Sequence, residues 1–132
     1  LDWTREHVVP KSIVKLDDFR NIMPLPRKLN QARGNRPYTN DYEDGYFVYA
    51  CDNCPNPGFC QGVMVMSPSG AHPPNAFKGP IARSVLHTAF KYPSMAKTVH
   101  ESVLDIDTAI EWDRKFPATE DELDWIRRGS QS

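Results

Sequence analysis

The sequence predicts an α+β fold, on three observations. The first 40 residues carry two short segments of strand character and then a run of helix formers. The middle of the chain holds two more strand-like segments around a turn-rich loop, with one cysteine in the loop and one on each side of it. From Pro80 onward, apolar residues recur at three- and four-residue spacing, the period of a helix. At 132 residues there is room for one domain with a modest core. We expect it to divide into an N-terminal unit (1–40), a cysteine-containing hairpin and loop (41–78) and a helical C-terminal part (79–132).

Each element has a local reason. "WTREHVVP" has aromatic and branched residues and stops at Pro10, so it reads as a short strand. "DDFRNIMPLP" reads as a second strand, ended by Pro24. The link from Lys11 to Leu16 is short enough for the two to pair antiparallel. "RKLNQARGN" combines helix formers with Gly34 at a plausible C-terminal position, which predicts one short helix. "GYFVYACD" and "CQGVMVMSP" are the next two strand candidates, and "NCPNPGF" is the loop between them. "PIARSVLHTAFKYP" places Ile81, Val85 and Ala89 four apart, which predicts a helix starting at Pro80 and ending before Pro93. "VLDIDTAIEWDRKF" puts Val103, Ile106 and Ile110 on one face of another helix. "TEDELDWI" opens a last helix with Thr119 and Glu122 at capping-box spacing.

Net charge is −1, which by itself speaks against a nucleic-acid partner. Its distribution speaks the other way. Residues 1–40 hold eight basic residues against four acidic ones, and the remaining 92 hold eight against thirteen. A basic patch beside an acidic remainder guides partners better than the sum does. Charged residues make up 25% and hydrophobic ones 39%, an ordinary globular composition. No apolar run approaches the length of a membrane span. No signal-peptide pattern is visible, and a start at Leu1 rather than Met is expected of a processed or cut form.

The chemistry concentrates in "REHVVPKS", where Glu6 stands directly before His7, and in the later Asn30. Oxygen ligands suit Mg²⁺, which keeps several waters and completes its shell from phosphate. Histidine, with an unperturbed pKa of about 6.5, can take a proton from water at neutral pH. An asparagine on a helix can face a hairpin carrying the other two. Carboxylate, imidazole and amide oxygen together suit a one-metal phosphodiesterase. One geometric difficulty arises. Adjacent strand residues point to opposite faces, so Glu6 and His7 share a site only if a bulge or a strand end re-aims one of them.

Four collinear blocks resemble the endonuclease I family of non-specific nucleases, which has a ββα-metal (His-Me finger) core. They are "REHVVP", "DDFRNIMPLPRKLNQARGN", "HPPNAFKGPIAR" and "IEWDRKFPATEDEL". The resemblance implies that 1–40 is the ββα-metal core. It implies that His7 is the general base and that Glu6 and Asn30 bind Mg²⁺, or another divalent ion such as Mn²⁺ or Ca²⁺ at the same site. It implies cleavage of DNA, with RNA open as a second substrate, to 5′-phosphate products. The family's link between the hairpin strands is longer and carries an arginine near the scissile phosphate, for which "KSIVKL" leaves no room. Its second strand has a histidine where Arg20 stands here. Phosphate contact is therefore expected from among Arg5, Arg20, Arg33, Arg36 and Arg83. For Arg83, anchoring to a carboxylate is the equal alternative.

Cys51, Cys54 and Cys60 lie in "CDNCPNPGFC". Three thiols with His72 as a fourth ligand would make a structural Zn²⁺ site. One disulfide plus a free thiol, or three unlinked thiols, are the other arrangements. Two further functional classes stand beside the non-specific nuclease: a structure-specific, junction-resolving nuclease on the same core, and a non-catalytic, zinc-stapled nucleic-acid-binding module. The family resemblance favours a secreted or periplasmic location, with an intracellular or virion-associated one left open. Oligomeric state is not legible.

Overall fold

A computed structural model describes residues 3–12, 19–50 and 62–131. The described residues form two small antiparallel sheets and five α-helices, an α+β architecture.

The first sheet pairs β1 (Trp3–His7) with β2 (Ile22–Pro26), in continuous register from Trp3↔Pro26 to His7↔Ile22. The second strand does not stop at Pro24, as the proline suggested, but runs through it to Pro26. The ladder explains why. The Val8 N–H donates to the Asn21 carbonyl at 2.9 Å, so by alternation Glu6–Met23 and Thr4–Leu25 are the hydrogen-bonded pairs. Pro24 and Pro26 fall on the intervening positions, where no ladder donor is needed. Helix α1 (Arg27–Arg33) follows immediately, burying Leu29 against the sheet's inner face with Val8, Val9, Met23 and Leu25.

The second sheet has the order β3 (Tyr46–Tyr49), β4 (Val63–Ser67), β5 (Gly70–His72), all antiparallel. The strand β5 was not expected. It is three residues long, too short to show a period-two pattern, and it owes its place to a tight turn after Ser67. Met64 and Met66 are buried strand core.

Helix α2 (Asn75–Lys91) is the central helix. It begins five residues before Pro80, which lies inside it. The sequence-based start at Pro80 was wrong because the helix already begins after Pro74, and the turn before Pro80 is packed. Gly79 sits against the Phe116 carbonyl with no room for a Cβ. Ile81, Ala82 and Val85 face the core. Helix α3 (Ala96–Ser102) buries Val99. Helix α4 (Ile106–Lys115) is capped by Asp105, whose carboxylate accepts from the Thr108 N–H at 3.0 Å. Its buried face is Ala109 and Trp112, not the expected stripe. Val103 precedes the helix and Ile110 is exposed. Helix α5 (Glu120–Gln131) starts after Thr119, whose hydroxyl accepts from the Glu122 N–H at 3.3 Å. The reciprocal half of the expected capping box is missing because the Glu122 carboxylate is taken by Arg83. Among the described residues, no helix is long and apolar enough to cross a membrane.

Candidate active site

Glu6 and His7 are the last two residues of β1, and the strand's end resolves their geometry. Register along β1 is unbroken, so no bulge is involved. Glu6 faces inward, 3% exposed, while His7 is half-buried where the strand finishes. Just beyond, Asn21 clamps the chain: its Oδ1 accepts from the Val9 N–H at 2.7 Å and its Nδ2 donates to the Val9 carbonyl at 3.1 Å. Both Glu6 and His7 reach one open cleft of about 280 Å³, which Asn30, Arg5, Lys11 and the Gly34–Asn35 turn also line.

Asn30 comes from α1 across the sheet. Its amide nitrogen donates to the Thr4 hydroxyl at 2.8 Å and to the Arg5 carbonyl at 3.3 Å. A backbone carbonyl only accepts, so this contact fixes which end of the amide is nitrogen. The Asn30 Oδ1 is left as the end with open lone pairs.

Glu6 is held by the last residue of α1, Arg33, and by Tyr38 beyond the helix. The Tyr38 hydroxyl donates to Oε2 at 2.8 Å, and Arg33 Nη1 stands 3.5 Å from Oε1. The chain reaches Tyr38 through Gly34, whose φ of 54° and ψ of −124° suit glycine, and whose N–H closes the helix on the Asn30 carbonyl at 3.0 Å. Burial raises the Glu6 carboxyl above its usual range, opposed by the Arg33 charge and the Tyr38 hydrogen bond. Burial pushes the Tyr38 phenol up as well, so the phenol keeps its proton and donates the hydrogen bond to Glu6 Oε2.

Arg33 does not reach the surface. It is 0% exposed. Its guanidinium donates to the carbonyls of Arg36 (2.6 Å), His7 (3.1 Å) and Val8 (2.8 Å), and lies 4.3 Å from the centre of the Tyr38 ring. The expectation that Arg33 meets phosphate is corrected on this ground: its donors are spent holding the backbone that carries His7. For Arg83 the structure has the carboxylate-anchoring alternative. It pairs with both oxygens of Glu122, with Asp113 at 3.0 Å and with the Phe116 carbonyl at 2.9 Å, tying α2 to α4 and α5. Arg20 lines a separate small cavity with Trp125 and Arg83, away from the cleft. Arg5 lines the cleft, and Arg36 is exposed just past its Gly34–Asn35 edge.

His72 stacks on Tyr42 at 5.3 Å, with both ring nitrogens shielded and, among the described residues, without hydrogen-bond partners. Cys51, Cys54 and Cys60, for which zinc shared with His72, a disulfide and free thiols were all left open, lie outside the described residues. So do residues 13–18, which include most of the expected link between the two strands. Among the described residues no three His, Cys, Asp or Glu side chains converge on one point. The Glu6–Asn30 pair needs no such trio, since Mg²⁺ keeps much of its water. A carboxylate group and an oriented amide oxygen on one cleft are hard oxygen donors and fit such an ion.

Lys11 and Tyr38 were missed from the sequence. Lys11 was within sight, two residues past the "EHVV" segment. Nothing local to Tyr38 announces that it lies over Glu6, 32 residues away.

A family model described as Endonuclease I matches residues 2–127. The chain belongs to the endonuclease I family. It is therefore a hydrolase, an endonuclease whose substrate is nucleic acid, from a family that is typically metal-dependent. No curated protein and no solved structure gives a significant match to it.

Proposed function

We propose that this chain acts as one divalent-metal-dependent nuclease domain, largely indifferent to sequence, that hydrolyses DNA to 5′-phosphate products. In this reading β1, β2 and α1 are its ββα-metal core. The observation that carries the reading is that Glu6, His7 and Asn30 all line one cleft beside Arg5 and Lys11. Glu6 and Asn30 would hold Mg²⁺, or Mn²⁺ or Ca²⁺ in its place. When bound there, the ion supplies Lewis-acid charge for a phosphate oxygen.

The chain's own residues do the rest. Neutral His7 accepts a proton from a water as that water's oxygen bonds to phosphorus. The bond from phosphorus to the 3′ oxygen breaks, the phosphate stays on the 5′ side, and a proton from solvent completes the 3′ hydroxyl. Arg33 and Asn21 hold the backbone around His7 still while this happens. Arg5 and Lys11 meet phosphates, which fix the position of the strand without reading its bases. RNA offers the same phosphodiester, so it is a substrate on the same terms.

A plasmid-nicking assay with and without chelator tests this. Cleavage should stop with chelator and return with Mg²⁺. The His7→Ala variant should lose about 100- to 10,000-fold in rate. Near-normal nicking by that variant would sink the mechanism. Strong preference for branched over linear duplex would indicate a structure-specific enzyme, and binding without cleavage a non-catalytic module.

A further inference from the structure

We infer that Tyr38 is a positioning residue for the Glu6 carboxylate and determines which of its oxygens is offered to a divalent cation. The inference rests on the reading of Glu6 as a metal ligand.

Tyr38 is anchored independently of β1. Its N–H donates to the Val103 carbonyl at 2.6 Å, and it forms an isolated parallel bridge with Ala71. Its position therefore does not follow the carboxylate; the carboxylate follows it. The last torsion of a glutamate is broad and holds no preferred angle by itself. A hydroxyl donating to Oε2 at 2.8 Å removes that freedom. A hydrogen bond to a charged acceptor is of the stronger kind. The remaining oxygen, Oε1, has the looser 3.5 Å contact with Arg33, and so keeps lone pairs for a cation.

The choice of donor matters too. A second arginine could orient the carboxylate equally well, but beside Arg33 it would leave an excess positive charge that repels a cation. A phenol orients without adding charge. For packing alone, phenylalanine would fill the same space and leave no buried hydroxyl to satisfy. Carboxylates that ligate metals are commonly held by such outer partners, and loss of one weakens metal binding about 10- to 100-fold.

The test is the Tyr38→Phe variant, which keeps the ring under Arg33 and removes only the hydroxyl. Mn²⁺ affinity is read directly from the electron paramagnetic resonance signal of the free ion, with Glu6→Gln as control. Tyr38→Phe should bind Mn²⁺ about 10- to 100-fold more weakly, and most of its nicking rate should return at saturating metal. A lowered melting temperature with unchanged Mn²⁺ affinity would mean a purely structural tyrosine and would overturn the inference. Unchanged Mn²⁺ binding in Glu6→Gln would instead remove the metal reading of Glu6, and the inference with it. The wild-type protein supplies a check that needs no folded variant. With ¹³Cζ-labelled tyrosine, addition of Mg²⁺ should move the Tyr38 resonance among the five tyrosines. Bound metal with no tyrosine resonance displaced would also refute it.

Discussion

Arg33 was read from sequence as a phosphate contact and stands in the structure as an internal brace, so substituting it separates the two roles. The Arg33→Met variant keeps much of the side-chain volume and removes every donor. It orphans the carbonyls of His7, Val8 and Arg36 and leaves the Glu6 carboxylate buried without its cation. Breaking a buried pair from one side costs about 3–5 kcal/mol. Against a total stability of about 5–15 kcal/mol for a domain this is severe, so chemical denaturation will register it as a large drop in midpoint. Adding Glu6→Gln removes the orphaned charge. The double variant should then fall short of the summed single losses, with a coupling of about 0.5–3 kcal/mol. Arg36→Ala is the contrast. Its side chain is exposed, so stability should stay within about 0.5 kcal/mol, while the log–log salt slope of DNA binding should flatten by up to about one unit. A loss below about 1 kcal/mol for Arg33→Met, with the salt slope flattened instead, would refute the brace and restore the phosphate contact.

Two further outcomes are expected. Gly79→Ala, ordinarily helpful inside a helix by about 1 kcal/mol, should here destabilise by about 1–3 kcal/mol, because a Cβ would strike the Phe116 backbone carbonyl; an unchanged or raised melting temperature would show that α2 and α4 are less closely packed. His72 is held below the ordinary histidine range, first by burial and then by the charge of Lys78, with Asp41 acting weakly the other way. A depressed folded value means that stability is fully present above about pH 6.5, the ordinary histidine value, and is lost as pH falls through the folded one. The His72→Phe variant, which keeps the Tyr42 stack, should therefore lose less melting temperature than wild type between about pH 7 and pH 5. Parallel pH curves for the two proteins would remove His72 as the cause.

Much of this protein is written in local pattern. Composition and periodicity suffice for the α+β class, for the strand–strand–helix order of the first 40 residues and for a helical C-terminal half, because each depends on residues that are neighbours in the chain. The family, too, is legible, since its motifs are short, ordered and spread along 2–127. Glu6, His7 and Asn30 were singled out by residue type and spacing; whether they could meet was not decidable there. Three things waited for the tertiary structure. Both Glu6 and His7 reach one cleft because β1 ends where it does, which depends on the Asn21 clamp from the facing chain. Helix α2 runs back to Asn75 through Pro80 because it is packed against Phe116, a contact 37 residues away in the chain. Arg33 and Arg83 look like any other cations in the sequence. Burial against specific carboxylates and carbonyls makes them internal, and leaves Arg5 and Lys11 facing the cleft. A charge's role depends on what surrounds it, and those surroundings come from residues distant along the chain.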